Sequence, residues 1–261
     1  MPDRKFSRFA GIQKEFKICP YFATLRNLFK ASFMFRKFLL LQLAVVLSVP
    51  AFSQQQDSVQ INQKLSFTKN QLYVPGILMA SGLFTTVFFK DQIKFKIRDE
   101  RNKQIPHFHT KLDNYMEYAS LPIAYGLDVF GVKSKNDFPN RTAILIKGEL
   151  FMYASVTLLK GVSHETRPDG SDRYSFPSGH AAQAFATATF LSEEYKDRLP
   201  WMPYAAYTMA GTTGLLRIAN NRHYIGDVLF GAGFGFLSMK MAYWTHQYKW
   251  GKNRKKSTPV Y

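Results

Sequence analysis

One group of residues in the second half of the chain has the types and spacing of a catalytic set: Arg217, His223 and Asp227. His223 and Asp227 are four positions apart, so a helical turn would place both on one face. The Asp227 carboxylate would then accept a hydrogen bond from one imidazole nitrogen, which fixes the tautomer and leaves the other nitrogen free to attack phosphorus. The guanidinium of Arg217 suits a phosphate clamp. This spacing therefore favours His223 as a nucleophile.

A second group, Pro177-Ser178-Gly179-His180, predicts the start of a helix. Pro177 blocks helix before it, and Ser178 is a favourable N-cap. Gly179 lets the backbone approach a ligand closely, and the free N–H groups of a helix N-terminus favour an anion. His180 lies in the first turn, where it can hold a proton and pass it to a leaving oxygen.

A third group supplies positive charge. Lys160 carries a compact ammonium, and Arg167 carries a planar fork that suits phosphate oxygens. Pro168 disfavours helix at Arg167 and predicts an extended approach. Together with Arg217, these side chains would surround a phosphoryl group with cations and stabilise the charge that spreads over its equatorial oxygens in the transition state.

Each group has an ordinary structural explanation when it stands alone. A His-x-x-x-Asp pair is usually a surface helix pair, Ser-Gly-His after proline is usually a capped helix, and basic residues are usually solvated. The occurrence of all three groups in this order, close to apolar helices, favours a shared site.

The three groups together resemble the signature of the type 2 phosphatidic acid phosphatase superfamily, which also includes the vanadium-dependent haloperoxidases. The resemblance covers roughly residues 72–245, and its specific part is 160–227. One position departs from the family pattern, because Leu216 stands where a serine is usual and so removes one hydroxyl ligand to the phosphate. The matching positions are Lys160, Arg167, Pro168, Pro177, Ser178, Gly179, His180, Arg217, His223 and Asp227.

The resemblance implies a role for each of these side chains. His223 attacks phosphorus and becomes phosphohistidine, Asp227 orients His223, and His180 protonates the leaving alcohol and later activates water. No cofactor and no metal ion is required. The phosphate is held by Lys160, Arg167, Ser178, Gly179 and Arg217.

Helical periodicity and turn residues predict the elements that position these groups. The predicted helical runs are 72–89, 118–131, 141–160, 178–195, 201–217 and 224–246. Neither a strand pattern nor an internal repeat is found in the sequence. We therefore expect an all-α fold, a six-helix bundle of the kind that the resemblance implies.

The N-terminal region has the features of an export signal. The basic pair Arg36 and Lys37 precedes an apolar stretch, which ends in a small-x-small pattern before Gln54. The alternative is a basic cytoplasmic tail that leads into an uncleaved anchor. Met34 stands where a signal peptide should begin. The expected division of the chain is an upstream extension 1–33, a signal peptide or anchor 34–53, a linker 54–71, a helical domain 72–248 and a basic tail 249–261.

Composition and charge limit the partners of the chain. Its 261 residues carry a net charge of +17 and are 46 % apolar and 16 % aromatic. This charge suits an anionic phosphate or an anionic bilayer surface, and no nucleic-acid motif accompanies it. The single cysteine, Cys19, excludes both a disulfide framework within the chain and a cysteine metal site.

The relation of the bundle to the membrane has two interpretations. The run 72–89 is long enough to span a bilayer, and the basic residues of 90–103 would then form a cytoplasmic flank. The mean hydropathy of −0.21 instead favours a peripheral or partly embedded bundle.

The side of the membrane that the site faces depends on the same runs. If 72–89, 118–131 and 141–160 all span after a cleaved signal, the site faces the cytoplasm. A re-entrant 118–131, or a bundle that is wholly exported, places the site outside. The proline, glycine and aspartate within 118–131 disfavour a full span, so we expect a site that faces the periplasm.

The expected function is hydrolysis of a phosphorylated lipid at the cell envelope. Phosphatidic acid, phosphatidylglycerol phosphate, an isoprenyl diphosphate and a phosphate of lipid A are the candidate substrates. The main alternative is a soluble periplasmic acid phosphatase of broad specificity, which the low hydropathy favours. A vanadium haloperoxidase and a non-catalytic, lipid-binding envelope protein are the further alternatives.

Overall fold

The computed structural model describes residues 69–246, which form an all-helical domain. The all-α prediction is confirmed, and six of the α-helices in this range have ten residues or more. A 3-10 turn at Lys69–Leu72 precedes α1, and a π-helical turn at Lys90–Phe95 joins α1 to α2. The α-helices are α1 Tyr73–Val87, α2 Lys96–Gln104, α3 Leu112–Met116, α4 Ser120–Val129, α5 Phe138–Ser163, α6 Gly179–Tyr195, α7 Met202–Ala219 and α8 Ile225–Trp244.

The expectations for the two ends of the chain lie outside the described residues. They are the upstream extension 1–33, the signal peptide or anchor 34–53, the linker as far as residue 68, and the basic tail 249–261.

Helix α6 is the centre of the bundle. It packs against α4, α5, α7 and α8, and side chains on all of its faces are buried. Its first half is rich in alanine, whose single methyl group lets neighbouring helices approach closely. Phe190, Leu191 and Tyr195 fill the wider space near its C-terminal end, and burial of a large apolar side chain of this kind contributes about 1.5–3 kcal/mol.

Between α3 and α5 the chain runs beside α6, from the middle of that helix to its C-terminal end. The backbone carbonyl of Glu117, just before α4, accepts a hydrogen bond from Thr187, whereas Asp128 near the end of α4 accepts one from Tyr195 at the far end of α6. Helix α4, with its 10 residues, is not among the described helices that are long enough to span a bilayer, so a re-entrant 118–131 stays a prediction. Pro122 occupies the first turn of α4, where a backbone N–H has no partner within the helix, so the proline does not interrupt this helix.

The basic segment that follows α1 lies at the same end of the bundle as His223. This segment turns by 93° from α1, and Arg101 Nη2 donates a hydrogen bond of 2.6 Å to the carbonyl of Ala219. The Lys94 ammonium lies 4.1 Å from the centroid of the Tyr224 ring. The two expectations of a cytoplasmic basic flank and of a periplasmic site therefore exclude each other.

Two of the described helices, α5 and α8, are long and apolar enough to cross a membrane, and the bent pair 69–104 is a third candidate. Helix α1 alone has 15 residues, or about 23 Å of length, which is less than the roughly 30 Å of a bilayer core. Helix α5 exposes a row of large apolar side chains, which lipid solvates better than water. The bundle is therefore membrane-associated. These exposed side chains are Ile146, Leu150, Phe151, Tyr153, Leu158 and Val162.

The close approach of α8 to α6 gives a stability prediction. A Cβ at Gly235 would lie 2.0 Å from the carbonyl oxygen of Ala182, whereas a Cβ at Gly211 in α7 would meet no atom within 4 Å. We expect Gly235→Ala to lower the unfolding temperature in detergent by several degrees, because α6 and α8 must separate. Gly211→Ala should leave it unchanged or raise it slightly. Equal unfolding temperatures for the two variants would contradict this packing.

Candidate active site

His223 lies in the loop between α7 and α8, and its side chain is buried with 1 % exposed. Its Nδ1 is 2.8 Å from the carbonyl oxygen of Ser175, and its Nε2 is 3.4 Å from Nη1 of Arg167. A carbonyl oxygen can only accept a hydrogen bond, and a guanidinium can only donate one. Nδ1 therefore carries the proton and Nε2 presents a lone pair, which is the form that a nucleophile needs.

Asp227 supports His223 through Ser175 and not by a direct hydrogen bond. Its Oδ2 lies 3.6 Å from His223 Nδ1, beyond hydrogen-bonding distance. The same oxygen accepts hydrogen bonds from the Ser175 hydroxyl and from the backbone N–H of Tyr224, the latter at 3.0 Å. The pair straddles a loop and the start of the predicted helix, because α8 begins at Ile225 and His223 stands before it, so the two residues do not share a helical turn. No sequence pattern pointed to Ser175.

The second sequence group begins a helix, as predicted. Ser178 is the N-cap of α6, and its side chain accepts a hydrogen bond from the N–H of Ala181. The backbone N–H of Ser178 donates to the carbonyl of Asp227 at 3.0 Å, which joins the start of α6 to the start of α8. A Cβ at Gly179 would lie 3.8 Å from Lys160 Cε, an ordinary contact. Packing against the rest of the protein therefore does not require glycine at position 179.

The three predicted cations converge on this end of the bundle. Arg167 lies against His223, Lys160 lies beside Gly179, and Arg217 is buried at the end of α7. Burial, and then the charges of Arg217, Lys160 and Arg167, lower the pKa of His223 well below its ordinary value of 6.5. The imidazole therefore remains neutral and keeps its lone pair at neutral pH.

Two of these cations are fixed by partners in the loop between α5 and α6. Nε of Arg167 donates to Asp172 at 2.6 Å, and Nζ of Lys160 donates to the carbonyl of Tyr174, also at 2.6 Å. Because these contacts use only part of the donors on each side chain, further N–H groups remain for a phosphate.

Helix α3, which contains none of the three sequence groups, holds the third cation. Oδ2 of Asp113 accepts hydrogen bonds from Nη1 of Arg217 at 2.7 Å and from Nδ2 of Asn220 at 3.0 Å. Burial alone would raise the pKa of Asp113, but its hydrogen bond and charge interaction with Arg217 outweigh burial and lower it. The carboxylate thus stays charged beside the guanidinium. The available signal was a pair of acidic residues, Asp113 and Glu117, at helical spacing just before an apolar run.

The imidazole of His180 also contacts Asn114 in α3 and Glu117 directly after it. Its Nε2 lies 2.9 Å from Oδ1 of Asn114 and 3.5 Å from Oε1 of Glu117. Burial, and then the charge of Arg217, lower the pKa of His180 to about 4. A bound phosphate would oppose this shift, because negative charge nearby favours the imidazolium.

All eight predicted site residues therefore lie at one end of the bundle, where positive groups surround a neutral, oriented imidazole. Such a cluster can bind a phosphate and present Nε2 of His223 to phosphorus. Leu216, the departure from the family pattern, is buried in α7 with 5 % exposed. It brings no hydroxyl to the cluster.

A family model described as the PAP2 superfamily matches residues 75–251, which is more than half of the chain. This chain belongs to the PAP2 superfamily. The PAP2 match contains all three sequence groups, so the resemblance drawn from those groups is confirmed.

Three known proteins are similar to parts of the chain. Lipid A 1-phosphatase of Porphyromonas gingivalis is 37 % identical over 177 residues, which cover 67 % of this chain and 39 % of the relative's own length. The crystal structure of Aquifex aeolicus LpxE has a TM-score of 0.44 and 23 % identity, and covers 57 % of this chain and 94 % of that chain. The crystal structure of the first transmembrane PAP2 type phosphatidylglycerolphosphate phosphatase from Bacillus subtilis has a TM-score of 0.43 and 19 % identity. This match covers 66 % of this chain and 94 % of that chain.

The indirect support of His223 gives a kinetic prediction. Ser175→Ala and Asp227→Ala each remove the hydrogen bond by which Asp227 holds Ser175. We expect Asp227→Ala to lower kcat about a hundredfold through misplacement of the imidazole, with little change in KM, because the phosphate-binding cations remain.

The double variant tests whether the two residues act through one chain of contacts. It should be no slower than Asp227→Ala alone, as measured by phosphate release from folded protein. Losses in kcat that multiply would show that Asp227 acts on His223 by a separate route.

Proposed function

We propose that this chain is a phosphatase that hydrolyses a phosphorylated lipid through a phosphohistidine intermediate, without a metal ion or other cofactor. The environment of His223 carries the proposal. Its unprotonated Nε2 lies 3.4 Å from the guanidinium of Arg167, in a cluster that also contains Lys160 and Arg217. Fixed cations of this kind can supply the stabilisation of developing charge that phosphoryl transfer requires.

The reaction follows from the positions of the two histidines. Nε2 of His223 forms a bond to phosphorus while the bond from phosphorus to the alcohol oxygen breaks, and His180 gives that oxygen a proton. Nδ1 of His223 keeps its proton and its hydrogen bond to Ser175. Water then attacks phosphorus and loses a proton to His180, and the phosphorus–nitrogen bond breaks. Inorganic phosphate leaves, and both histidines return to their starting forms.

The first turn of α6 completes the phosphate site. Backbone N–H groups at a helix N-terminus favour an anion, and Ser178 and Gly179 begin this helix. The N–H of Ser178 is taken by the carbonyl of Asp227, so in the proposed complex Ser178 uses its hydroxyl and Gly179 its N–H to bind phosphate oxygens, together with Lys160, Arg167 and Arg217.

A lipid substrate is supported by the membrane association of the bundle. The exposed apolar side chains of α5 would keep the enzyme at a bilayer, where a phosphorylated lipid is concentrated. They also disfavour a soluble acid phosphatase of broad specificity. Among the candidate substrates, the similarity to lipid A 1-phosphatase favours a phosphate of lipid A. The other three candidates are phosphatidic acid, phosphatidylglycerol phosphate and an isoprenyl diphosphate.

A substrate panel tests this function. We expect purified protein in detergent to release phosphate from at least one of these four lipids in the presence of a chelator. His223→Ala should abolish release at an unchanged unfolding temperature, because no nucleophile remains. Hydrolysis of a small water-soluble phosphoester alone would contradict the lipid assignment, and turnover by His223→Ala would contradict the phosphohistidine.

For the cellular location, we propose that the chain is exported and that its site faces the periplasm. The apolar stretch that follows Arg36 and Lys37 supports export. Because α1 leads into the basic segment at the site end of the bundle, an outward site requires one of two arrangements. Either the start of α1 lies on the cytoplasmic side, or the bundle lies at the outer surface of the membrane.

A pair of exposed arginines at opposite ends of α6 tests this orientation. Arg173 is in the loop before α6, at the site, and Arg198 is in the loop after it. We expect a membrane-impermeant maleimide to label Arg173→Cys in intact spheroplasts. Labelling of Arg198→Cys as well would indicate a bundle at the outer surface. Labelling of Arg198→Cys alone would place the site in the cytoplasm and contradict the proposal.

A further inference from the structure

Lys94 is a charged side chain that the fold buries close to the nucleophile. It belongs to the π-helical turn that follows α1, and only 2 % of the residue is exposed. Its neighbours Lys90 and Lys96 in the same basic segment are exposed. Burial of an ammonium group is costly unless a partner compensates it, so the contacts of Lys94 must offset this cost.

Those contacts are made to both segments of the chain that hold His223. The ammonium of Lys94 forms an ion pair with Oε1 of Glu165, near the start of the loop between α5 and α6. The same ammonium lies 4.1 Å from the centroid of the Tyr224 ring, within the range of a cation–π contact. Because Tyr224 follows His223 directly in the chain, one buried charge bridges the loop before α6 and the loop before α8.

The contact with Glu165 leads to the proton-bearing nitrogen of His223. The backbone carbonyl of Glu165 accepts a hydrogen bond of 2.9 Å from the N–H of Ser175. The carbonyl of Ser175 in turn accepts a hydrogen bond of 2.8 Å from Nδ1 of His223. A shift of Glu165 would therefore displace the acceptor that orients the imidazole.

We propose that Lys94 is a positioning residue for His223. By holding Glu165 and Tyr224 at once, its ammonium fixes the acceptor of Nδ1–H relative to the backbone that carries the imidazole, and so directs Nε2 toward phosphorus. Lys94 acts through these neighbours and not on the phosphate. This inference rests on the proposed phosphatase function and adds to it a residue outside the three sequence groups.

The kinetics of Lys94→Met test this role, because methionine keeps an unbranched apolar stem and removes the charge. On the lipid that the wild type hydrolyses, we expect kcat of the folded variant to fall about tenfold through misplacement of the imidazole. KM should change little, because the phosphate-binding cations Lys160, Arg167 and Arg217 remain. A kcat equal to that of the wild type would overturn the inference.

Two inhibitors separate a misplaced nucleophile from a damaged phosphate site. Orthovanadate forms a five-coordinate adduct with a nucleophile and so resembles the transition state of phosphoryl transfer, whereas inorganic phosphate requires only the surrounding cations. Lys94→Met should weaken inhibition by vanadate about tenfold and leave inhibition by phosphate close to that of the wild type. Equal changes for the two inhibitors would assign Lys94 a merely structural role and overturn the inference.

A double variant separates positioning from stability, since Lys94→Met leaves Glu165 without its partner. Lys94→Met combined with Glu165→Met replaces the ion pair by apolar side chains, a change that is often neutral or stabilising. We expect the double variant to unfold close to the wild-type temperature and yet to keep the lowered kcat, because the bridge to Tyr224 is still missing. Recovery of the wild-type kcat would show that Lys94 contributes only to stability and would overturn the inference.

Lys96→Met is the matched control, because Lys96 is exposed and no hydrogen bond or ion pair of its side chain is found within residues 69–246. It should leave kcat, KM and both inhibition constants unchanged. A loss equal to that of Lys94→Met would assign the effect to the charge of the whole segment and overturn the inference. Failure of the wild type to release phosphate from any lipid of the panel would contradict the proposed function itself, whereas an active wild type with a fully active Lys94→Met would overturn only this inference.

Discussion

Asp227 joins three segments of the chain that the sequence separates. Its carboxylate accepts hydrogen bonds from the Ser175 hydroxyl and the Tyr224 N–H, and its backbone carbonyl accepts one from Ser178. These bonds fix the loop before α6 against the start of α8. Because Asp227 is fully buried, loss of any of them would leave polar groups without water to replace it. The position of His223 relative to the first turn of α6 depends on this set.

The positive charge of the site suits an anion. Lys160, Arg167 and Arg217 repel one another, and Asp113 and Asp172 offset only part of this repulsion. Burial and the same positive charge lower the pKa of His223 and keep its imidazole neutral, because both disfavour an imidazolium there. A bound phosphate would relieve the repulsion, which links substrate binding to the stability of this end of the bundle.

The fold brings this chemistry to the end of a membrane-associated bundle. Alanines in α6 and glycines in α8 allow close helix packing, and that packing sets the distance between the starts of the two helices. The basic segment 90–104 belongs to the same end through Arg101 and Lys94. Its charges therefore contribute to the surroundings of the site, so they do not by themselves indicate the cytoplasmic side.

The sequence by itself determined the six longer helices, the N-cap at Ser178 and the groups that carry the family, because periodicity, capping and short motifs are local properties. Only the tertiary structure decided the partners of these groups. The contact of Ser175 with His223 spans 48 positions, that of Asn114 with His180 spans 66, and that of Asp113 with Arg217 spans 104. No local pattern encodes such pairs, because they follow from how whole helices pack.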